Sequence, residues 1–190
     1  MNVCLYGASS TQIDQKYVLA TEQLGEALAK AGHGLVYGGG AFGLMGAAAR
    51  GMTRCGGTVV GVAPSFFQVD GVLYEHCTEM VYTETMRERK QIMEERSDAF
   101  IVAPGGIGTY EEFFEIYTLK QLGRHSKPII IFNIDGYYDD LLNMLRHTVD
   151  EKFMQASCLD LCAVAATSDE VMALLSQTAD AADVHQTKYI

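Results

Sequence analysis

The sequence predicts an α/β protein, built as a doubly wound parallel sheet with helices on both faces. Short apolar segments alternate along the chain with segments of helical periodicity, an order that gives parallel strands covered by helices. Glycine-bearing turns follow three of the apolar segments, at 7–10, 38–43 and 105–108. Because ligands in such sheets bind at the carboxyl ends of the strands, we expect a site at these turns.

The first third of the chain contains three predicted strands and two helices. Residues 3–6 are a short apolar run and form the first strand. Residues 15–30 have apolar side chains at helical spacing and a glycine just beyond their end, which predicts a helix. The apolar run 34–37 predicts a strand, and the Ala-, Met- and Leu-rich segment 43–54 predicts a helix. The apolar run 58–63 predicts a third strand, which a proline ends.

The middle of the chain begins with a long connection. Residues 65–78 have no regular pattern and are the best candidate for a mobile flap. A brief strand at 80–82 and a helix at 86–96 follow. The apolar run 99–103 predicts a buried strand, and a glycine-rich turn joins it to a helix at 110–122.

The last part repeats the same alternation. An isoleucine-rich run at 128–132 predicts a strand, and 138–150 has helical spacing. A strand at 161–165 and a helix at 169–176 complete the predicted sheet and its cover. The polar residues 177–190 are expected to form a flexible tail.

Composition and charge limit the classes of protein. A chain of 190 residues with 48% hydrophobic and 20% charged residues suits one globular domain, which we place at residues 1–176. The net charge of −10 argues against nucleic acid or an anionic membrane as a partner. Five cysteines without a C-x-x-C, and no signal peptide or membrane span, predict a cytoplasmic protein. The five histidines are scattered, so we expect no metal site and no cofactor.

Residues 104–112 carry the strongest functional signal. They read P-G-G-I-G-T-Y-E-E and lie between a predicted strand and a predicted helix. Glycines let the backbone approach a phosphate, and the first N–H groups of a helix are unpaired, so this arrangement predicts an anion site. A carboxylate just inside that helix would repel the same anion. That conflict indicates chemistry as well as binding.

Two interpretations of the paired glutamates stay open. Thr109 and Glu112 match a T-x-x-E capping box, in which the glutamate binds the threonine N–H. A phosphate at the preceding turn would instead use the same N–H donors. Glu111 and Glu112 lie ~100° apart around a helix, so at most one faces a given site. Thr118 shares the face of Glu111, and spacing alone does not choose between the two glutamates.

A second glycine motif follows the second strand. Gly38, Gly40 and Gly43 match G-x-G-x-x-G. A dinucleotide fingerprint also needs an acidic residue at the end of the next strand, where this chain has Ala-Pro-Ser. The glycines therefore serve either tight packing of a helix on a strand or backbone contact with some other ligand. A P-loop is excluded, because no glycine precedes Lys-Ser or Lys-Thr.

The third predicted helix carries an arginine that faces inward. Met86, Ile92 and Met93 define one apolar face. Arg89 falls in the middle of that face and Lys90 at its edge. A buried guanidinium needs a partner, and its planar fork suits phosphate or carboxylate. Alternatively, the Arg89 guanidinium forms a structural ion pair with a nearby acid, or its alkyl stem lies along the core and its charged end reaches water.

Together these features resemble the "Lonely guy" family of cytokinin riboside 5′-monophosphate phosphoribohydrolases, often labelled lysine decarboxylase-like. The family pattern P-G-G-x-G-T-x-x-E is met by Pro104, Gly105, Gly106, Gly108, Thr109 and Glu112. The family's upstream Met with an Arg-Lys pair is met by Met86, Arg89 and Lys90. Further matches lie at 7–10, 36–46 and 121–128, so the resemblance covers about residues 1–150.

The resemblance implies a modified Rossmann fold and hydrolysis of the N-glycosidic bond of adenosine 5′-monophosphate or its N6-prenylated forms, giving free base and ribose 5-phosphate. It also implies a homodimer or a larger assembly, with the site near the subunit interface. Apart from the resemblance, Phe113, Phe114 and Tyr117 of the helix at 110–122 are a candidate dimer surface if they do more than fill the core. Arg89 and Glu112 correspond to the family's catalytic pair. The predicted substrate-binding residues are Ser9, Gly38, Gly39, Gly40, Met86, Lys90, Gly105, Gly106, Ile107, Gly108, Thr109, Glu111 and Thr118.

Three rival functions are weighed against this one. A carrier of a nucleotide-like cofactor, such as the molybdenum-cofactor carriers that share this general fold, would not need Glu112 together with Arg89. An NAD-dependent enzyme built on residues 38–43 lacks its acidic partner. A decarboxylase that uses pyridoxal phosphate needs a Schiff-base lysine, and Lys90 beside Arg89 fits better as a phosphate clamp.

Overall fold

The computed structural model describes residues 1–181, in which one sheet of seven parallel strands forms the centre. The strands are β1 (Asn2–Tyr6), β2 (Gly34–Tyr37), β3 (Val59–Pro64), β4 (Glu79–Thr83), β5 (Ala99–Val102), β6 (Ile129–Phe132) and β7 (Ala163–Ala165). Their order across the sheet is β4-β3-β2-β1-β5-β6-β7, and every neighbouring pair is parallel. The chain therefore winds outward from the centre in both directions, which confirms the predicted doubly wound α/β fold.

Six helices cover the sheet within the described residues. They are α1 (Gln15–Lys30), α2 (Gly43–Arg54), α3 (Met86–Glu95), α4 (Ile107–Gln121), α5 (Asp139–Asp150) and α6 (Ser168–Ala181). Buried side chains of α1, α2 and α6 pack on one face of the sheet, and those of α3, α4 and α5 pack on the other. No helix in residues 1–181 is both long and apolar enough to span a bilayer.

Strand periodicity divides the interior into two cores. Val3 and Leu5 of β1 belong to the core under α1, α2 and α6. Cys4 and Tyr6, which alternate with them, belong to the core under α3 and α4. Because strands of a parallel sheet are buried on both faces, both sets are apolar, as the short continuous runs in the sequence predicted.

Most predicted boundaries lie within two residues of the observed ones, and the difference at the end of β3 has a clear cause. We expected Pro64 to end β3 before it, but Pro64 is the last strand residue and pairs in register with Thr83. The pairing of β3 with β2 already ends at Gly61, so the missing N–H of the proline costs no bond on that side. The last helix continues to Ala181, beyond its predicted end and into the predicted tail, while residues 182–190 lie outside the described part of the chain.

The 65–78 connection is more regular than its composition predicted. A short 3-10 turn occupies Ser65–Phe67, and Leu73 then forms an antiparallel bridge with Gly40. Two backbone bonds flank this bridge: the Ala41 N–H donates to Val72 O at 3.0 Å, and the Tyr74 N–H donates to Gly39 O at 2.9 Å. The connection is thus attached to the glycine turn that follows β2.

Candidate active site

A cleft of about 660 Å³ opens at the carboxyl ends of the central strands, a size suited to a small-molecule ligand. It lies where the winding direction reverses between β1 and β5, the usual place for a ligand in an open α/β sheet. The lining comes from the turns after β1 and β2, the 65–78 connection, α3 and the start of α4. The predicted site residues among it are Ser9, Gly38, Gly40, Met86, Arg89, Gly106, Gly108, Thr109 and Glu112.

The amino end of α4 faces this cleft. The helix begins at Ile107, with Gly106 as an extended N-cap and no side-chain cap. The first intrahelical bond runs from the Tyr110 N–H to Gly106 O at 3.0 Å, so the N–H groups of Ile107 to Thr109 have no acceptor within the helix. A Cβ at Gly106 or Gly108 would meet no atom within 4 Å, so the approach to these N–H groups is open. The arrangement suits a phosphate.

Two tyrosine hydroxyls hold the strand-to-helix turn in place. Tyr137 Oη donates to Gly105 O at 2.7 Å, and Tyr138 Oη donates to Ala103 O at 2.8 Å. Gly105 itself packs against Thr109, because a Cβ at position 105 would stand 2.6 Å from the Thr109 Cβ. The turn is therefore fixed by its own neighbours before any ligand arrives.

Arg89 and Glu112 form a buried ion pair beside this anion site. Arg89 Nη1 lies 3.0 Å from Glu112 Oε1, and each residue is only 8% exposed. Arg89 Nε also donates to Val62 O at 3.2 Å, which fixes the plane of the guanidinium. The inward orientation that helical periodicity predicted for Arg89 is observed, and its acid partner lines the cleft.

The surroundings of Glu112 alter its acidity. Burial raises the pKa of the Glu112 carboxyl above its ordinary value, while the charge of Arg89 opposes that shift. A carboxylate that is desolvated and oriented by a guanidinium has the features expected of a catalytic base or of a group that stabilises positive charge.

The structure distinguishes the two glutamates, because Glu112 lines the cleft and Glu111 does not. The capping box predicted at Thr109 is not formed, because α4 begins three residues earlier than predicted and Thr109 lies inside it. The same T-x-x-E pattern does form a capping box at Thr85 and Glu88, at the start of α3. Glu111 lies on the outer side of α4, where it forms an ion pair with Lys90.

Six predicted substrate-binding residues do not line the cleft. Lys90 contacts Glu111 and Glu115, the latter at 2.7 Å, so it does not reach the anion site as the phosphate clamp we expected. Thr118 is exposed on that outer face. The remaining three are Gly39, Gly105 and Ile107. Gly39 and Gly105 are buried, and Ile107 is 83% exposed. Helix phase explains the outcome for Glu111 and Thr118, since residues on the face of Glu111 point away from Glu112.

The aromatic residues of α4 are also placed differently from the prediction. Phe113 and Tyr117 are buried in the core, where Tyr117 Oη donates to Cys158 O at 2.6 Å. Phe114 is half-buried and packs on Phe113. Phe113 and Tyr117 therefore cannot form the dimer surface considered from the sequence.

An apolar wall lines the same cleft as the ion pair and was missed in the sequence. Its side chains are Phe42, Met45, Phe67, Val72, Leu73 and Met86, of which only Met86 was predicted. A usable signal was the two apolar pairs in the irregular connection, Phe66-Phe67 and Val72-Leu73. The bridge between Gly40 and Leu73 brings that connection over the cleft.

The fold and the site together define a class of protein. The site combines a free helix end, at the switch point of an open parallel sheet, with a desolvated guanidinium–carboxylate pair beside it. These are the features of a nucleotide-binding α/β protein with catalytic capacity. Comparison with known proteins narrows this class. A family described as "Possible lysine decarboxylase" matches residues 45–175. The chain belongs to this family, which confirms the resemblance seen in the sequence.

Relatives named as phosphoribohydrolases match most of the chain. A probable cytokinin riboside 5′-monophosphate phosphoribohydrolase of Oryza sativa subsp. japonica is 39% identical over 175 residues, covering 92% of this chain and 71% of the relative. The cytokinin riboside 5′-monophosphate phosphoribohydrolase of Rhodococcoides fascians is 44% identical over 140 residues, covering 73% and 71%. The one from Mycobacterium tuberculosis is 40% identical over 158 residues, covering 83% and 84%.

Solved structures agree on the fold. The molybdenum cofactor carrier protein of Chlamydomonas reinhardtii superposes with a TM-score of 0.74, covering 94% of this chain and 98% of that one. At 20% sequence identity this likeness concerns the fold alone.

Proposed function

We propose that this protein hydrolyses the N-glycosidic bond of adenosine 5′-monophosphate or its N6-modified forms, releasing the free base and ribose 5-phosphate. The observation that carries the proposal is the Arg89–Glu112 pair, buried at 8% exposure beside the free amino end of α4. The relatives named above, at 39–44% identity, are phosphoribohydrolases of cytokinin riboside 5′-monophosphates. A lysine decarboxylase activity is less well supported, because none of the described residues lining the cleft is a lysine.

The proposed reaction assigns one task to each part of the site. The N–H groups of residues 107–109 and the Thr109 hydroxyl bind the 5′-phosphate. Anchored at that end, the ribose presents its anomeric carbon to Glu112. As the carbon–nitrogen bond breaks, its electron pair leaves with the base, and positive charge grows on the sugar. The oxygen of the attacking water bonds to the anomeric carbon, and the Glu112 carboxylate stabilises the growing charge and accepts one proton of that water. Glu112 then passes this proton to the nitrogen of the departing base, and Arg89 holds the carboxylate in position throughout.

The apolar wall gives the base its place. Phe42, Phe67 and Leu73 line the side of the cleft built from the β2 turn and the 65–78 connection. Aromatic and aliphatic side chains there suit a purine ring and an apolar substituent upon it. We therefore infer that a nucleotide whose base carries an N6-prenyl group is the better substrate, and that adenosine 5′-monophosphate is the weaker one.

We further propose a cytoplasmic homodimer with the site close to the subunit interface. All five cysteines are free thiols, which fits a reducing compartment. Two apolar side chains flank the cleft and are accessible in the single chain, Met86 at 40% and Ile107 at 83% exposure. Light scattering on the purified protein tests this assembly, and a monomer at micromolar concentration would contradict it.

The decisive experiment is a direct assay of base release. The protein is incubated with adenosine 5′-monophosphate and with its N6-isopentenyl form, and free base and ribose 5-phosphate are measured by chromatography. We expect equal amounts of the two products, formed faster from the prenylated nucleotide. Tight binding without release of either base would instead support the carrier function.

A further inference from the structure

Gly38 lies where the guanidinium of Arg89 crosses the end of β2. A Cβ placed on Gly38 would stand 3.1 Å from Arg89 Cζ and closer still to Nη2, against about 3.5–4.0 Å for an ordinary carbon contact. The same position is 3.2 Å from Met45 Sδ, so the space is closed on a second side. The backbone φ of Gly38 is not positive, so an alanine there is excluded by space rather than by conformation.

Arg89 is unable to give way without losing a bond. Its Nε donates to Val62 O at 3.2 Å, and its Nη1 pairs with Glu112 Oε1 at 3.0 Å. These two contacts hold different nitrogen atoms of the planar guanidinium, and the Arg89 side chain is 90% buried. A methyl group at position 38 would push the guanidinium away from β2, and either contact would have to lengthen.

We infer that Gly38 is a positioning residue for the Arg89–Glu112 pair. It acts by leaving room for Nη2, and so sets the direction from which the guanidinium holds the carboxylate. This role differs from the substrate contact predicted for Gly38 and from the helix–strand packing that the G-x-G-x-x-G pattern also allowed, and its consequence for catalysis rests on the proposed function. The glycine turn after β2 thus shapes the catalytic pair, while the turn after β5 provides the anion site.

A four-variant cycle tests this assignment: the wild type, Gly38→Ala, Arg89→Lys and the double variant. In the arginine background we expect Gly38→Ala to lower kcat for base release about 100-fold, since a displacement near 1 Å can cost that much. KM should change little, because the phosphate is bound at α4. In the Arg89→Lys background, which has no Nη2, the same change should cost no more than about twofold. An equal loss in both backgrounds would overturn the inference, as would a fully active Gly38→Ala variant.

The matched control is Gly61→Ala, on the neighbouring strand β3. A Cβ at Gly61 would stand 2.7 Å from Met80 Cε, the flexible end of a side chain that does not line the cleft. We expect kcat to stay within about twofold of the wild type. A loss as large as that of Gly38→Ala would mean that any methyl group at a buried sheet glycine disturbs the enzyme, and would overturn the specific role of Gly38.

Thermal unfolding of the same four proteins separates this inference from the proposed function. Gly38→Ala should lower Tm by several degrees with arginine at position 89 and by clearly less with lysine. Such coupling supports the packing of Gly38 on Arg89 even if the wild type releases no base. Additive changes in Tm would overturn it. If Gly38→Ala alone does not fold, recovery of folding in the double variant supports the inference, and failure of both contradicts it.

Discussion

Arg89 Nη1 and Glu112 Oε1 meet at 3.0 Å across two helices, α3 and α4, that lie on the same face of the sheet. The pair is shielded from solvent, yet it lines the cleft beside the free N–H groups of α4. Its two members therefore depend on each other for stability, and both are in reach of a ligand in the cleft.

The pH dependence of activity should report on Glu112. Its pKa is raised by burial, and the proposed reaction needs the ionised form. As pH falls through this raised pKa the carboxylate is protonated, so activity should be lost at a higher pH than for an ordinary glutamate, whose pKa is 4.5. Measuring kcat/KM from about pH 4 to 8 checks this. An acid limb at or below the ordinary value would contradict the assignment.

Replacing Glu112 by glutamine should lower turnover steeply and preserve binding. The amide keeps the shape of the side chain but neither stabilises positive charge nor accepts a proton, so kcat should fall about 10³-fold. The affinity for ribose 5-phosphate, measured by calorimetry, should stay near that of the wild type because the phosphate is bound at α4. Glu111→Gln is the matched control, and we expect its kcat to exceed that of Glu112→Gln by at least about 100-fold.

Removing the Arg89 side chain should destabilise the protein in a pH-dependent way. Arg89→Ala leaves a buried carboxylate unpaired, which costs about 3 kcal/mol of unfolding free energy. The loss should be larger at about pH 8 than at pH 5, because protonation of Glu112 removes the unpaired charge. Urea unfolding at both pH values measures it. The exposed Arg87→Ala on the same helix should change stability by less than about 0.5 kcal/mol, and an equal cost at both pH values for Arg89→Ala would contradict this account.

Loss of the Tyr137 hydroxyl should weaken phosphate binding. Tyr137→Phe removes the 2.7 Å bond to Gly105 O and loosens the turn before α4. A hydrogen bond worth about 1 kcal/mol corresponds to a rise in KM of about fivefold, with kcat little changed. Tyr74→Phe is the control, since Tyr74 Oη bonds Thr53 Oγ1 at 2.7 Å and does not line the cleft. Inhibition by ribose 5-phosphate should weaken in parallel for Tyr137→Phe alone.

Phe67→Ala should reduce the preference for the prenylated substrate. Phe67 lines the cleft, whereas its neighbour Phe66 is 60% exposed and does not. Losing one apolar wall residue should lower kcat/KM about tenfold for the N6-isopentenyl nucleotide and much less for adenosine 5′-monophosphate. Phe66→Ala should leave the ratio of the two unchanged. Equal losses for both substrates would place the prenyl group elsewhere.

The sequence was sufficient for the sheet, its helices and the inward face of α3. Helical periodicity placed Arg89 correctly because that property is local to one helix. It could not choose between Glu111 and Glu112, since the choice depends on where α4 starts and how it packs against α3. The same limit applies to Lys90, whose partners Glu111 and Glu115 lie on a different helix.

The position of the apolar wall was missed for another reason. It depends on the bridge between Gly40 and Leu73, which joins two irregular segments that have no shared pattern. Gly38 shows a third limit, because a glycine motif reveals that space is needed but not which atoms occupy it. Only the packed structure identifies the occupant as the guanidinium of Arg89.

The two sides of the cleft come from different parts of the chain. Both charges are held by α3 and α4, while Phe67, Val72 and Leu73 of the wall come from the connection between β3 and β4. Substitutions in that connection can alter which nucleobase is accepted and leave the charged groups untouched. Proteins descended from one ancestral gene can thus evolve different substrate specificities while they keep the same bond-cleaving residues.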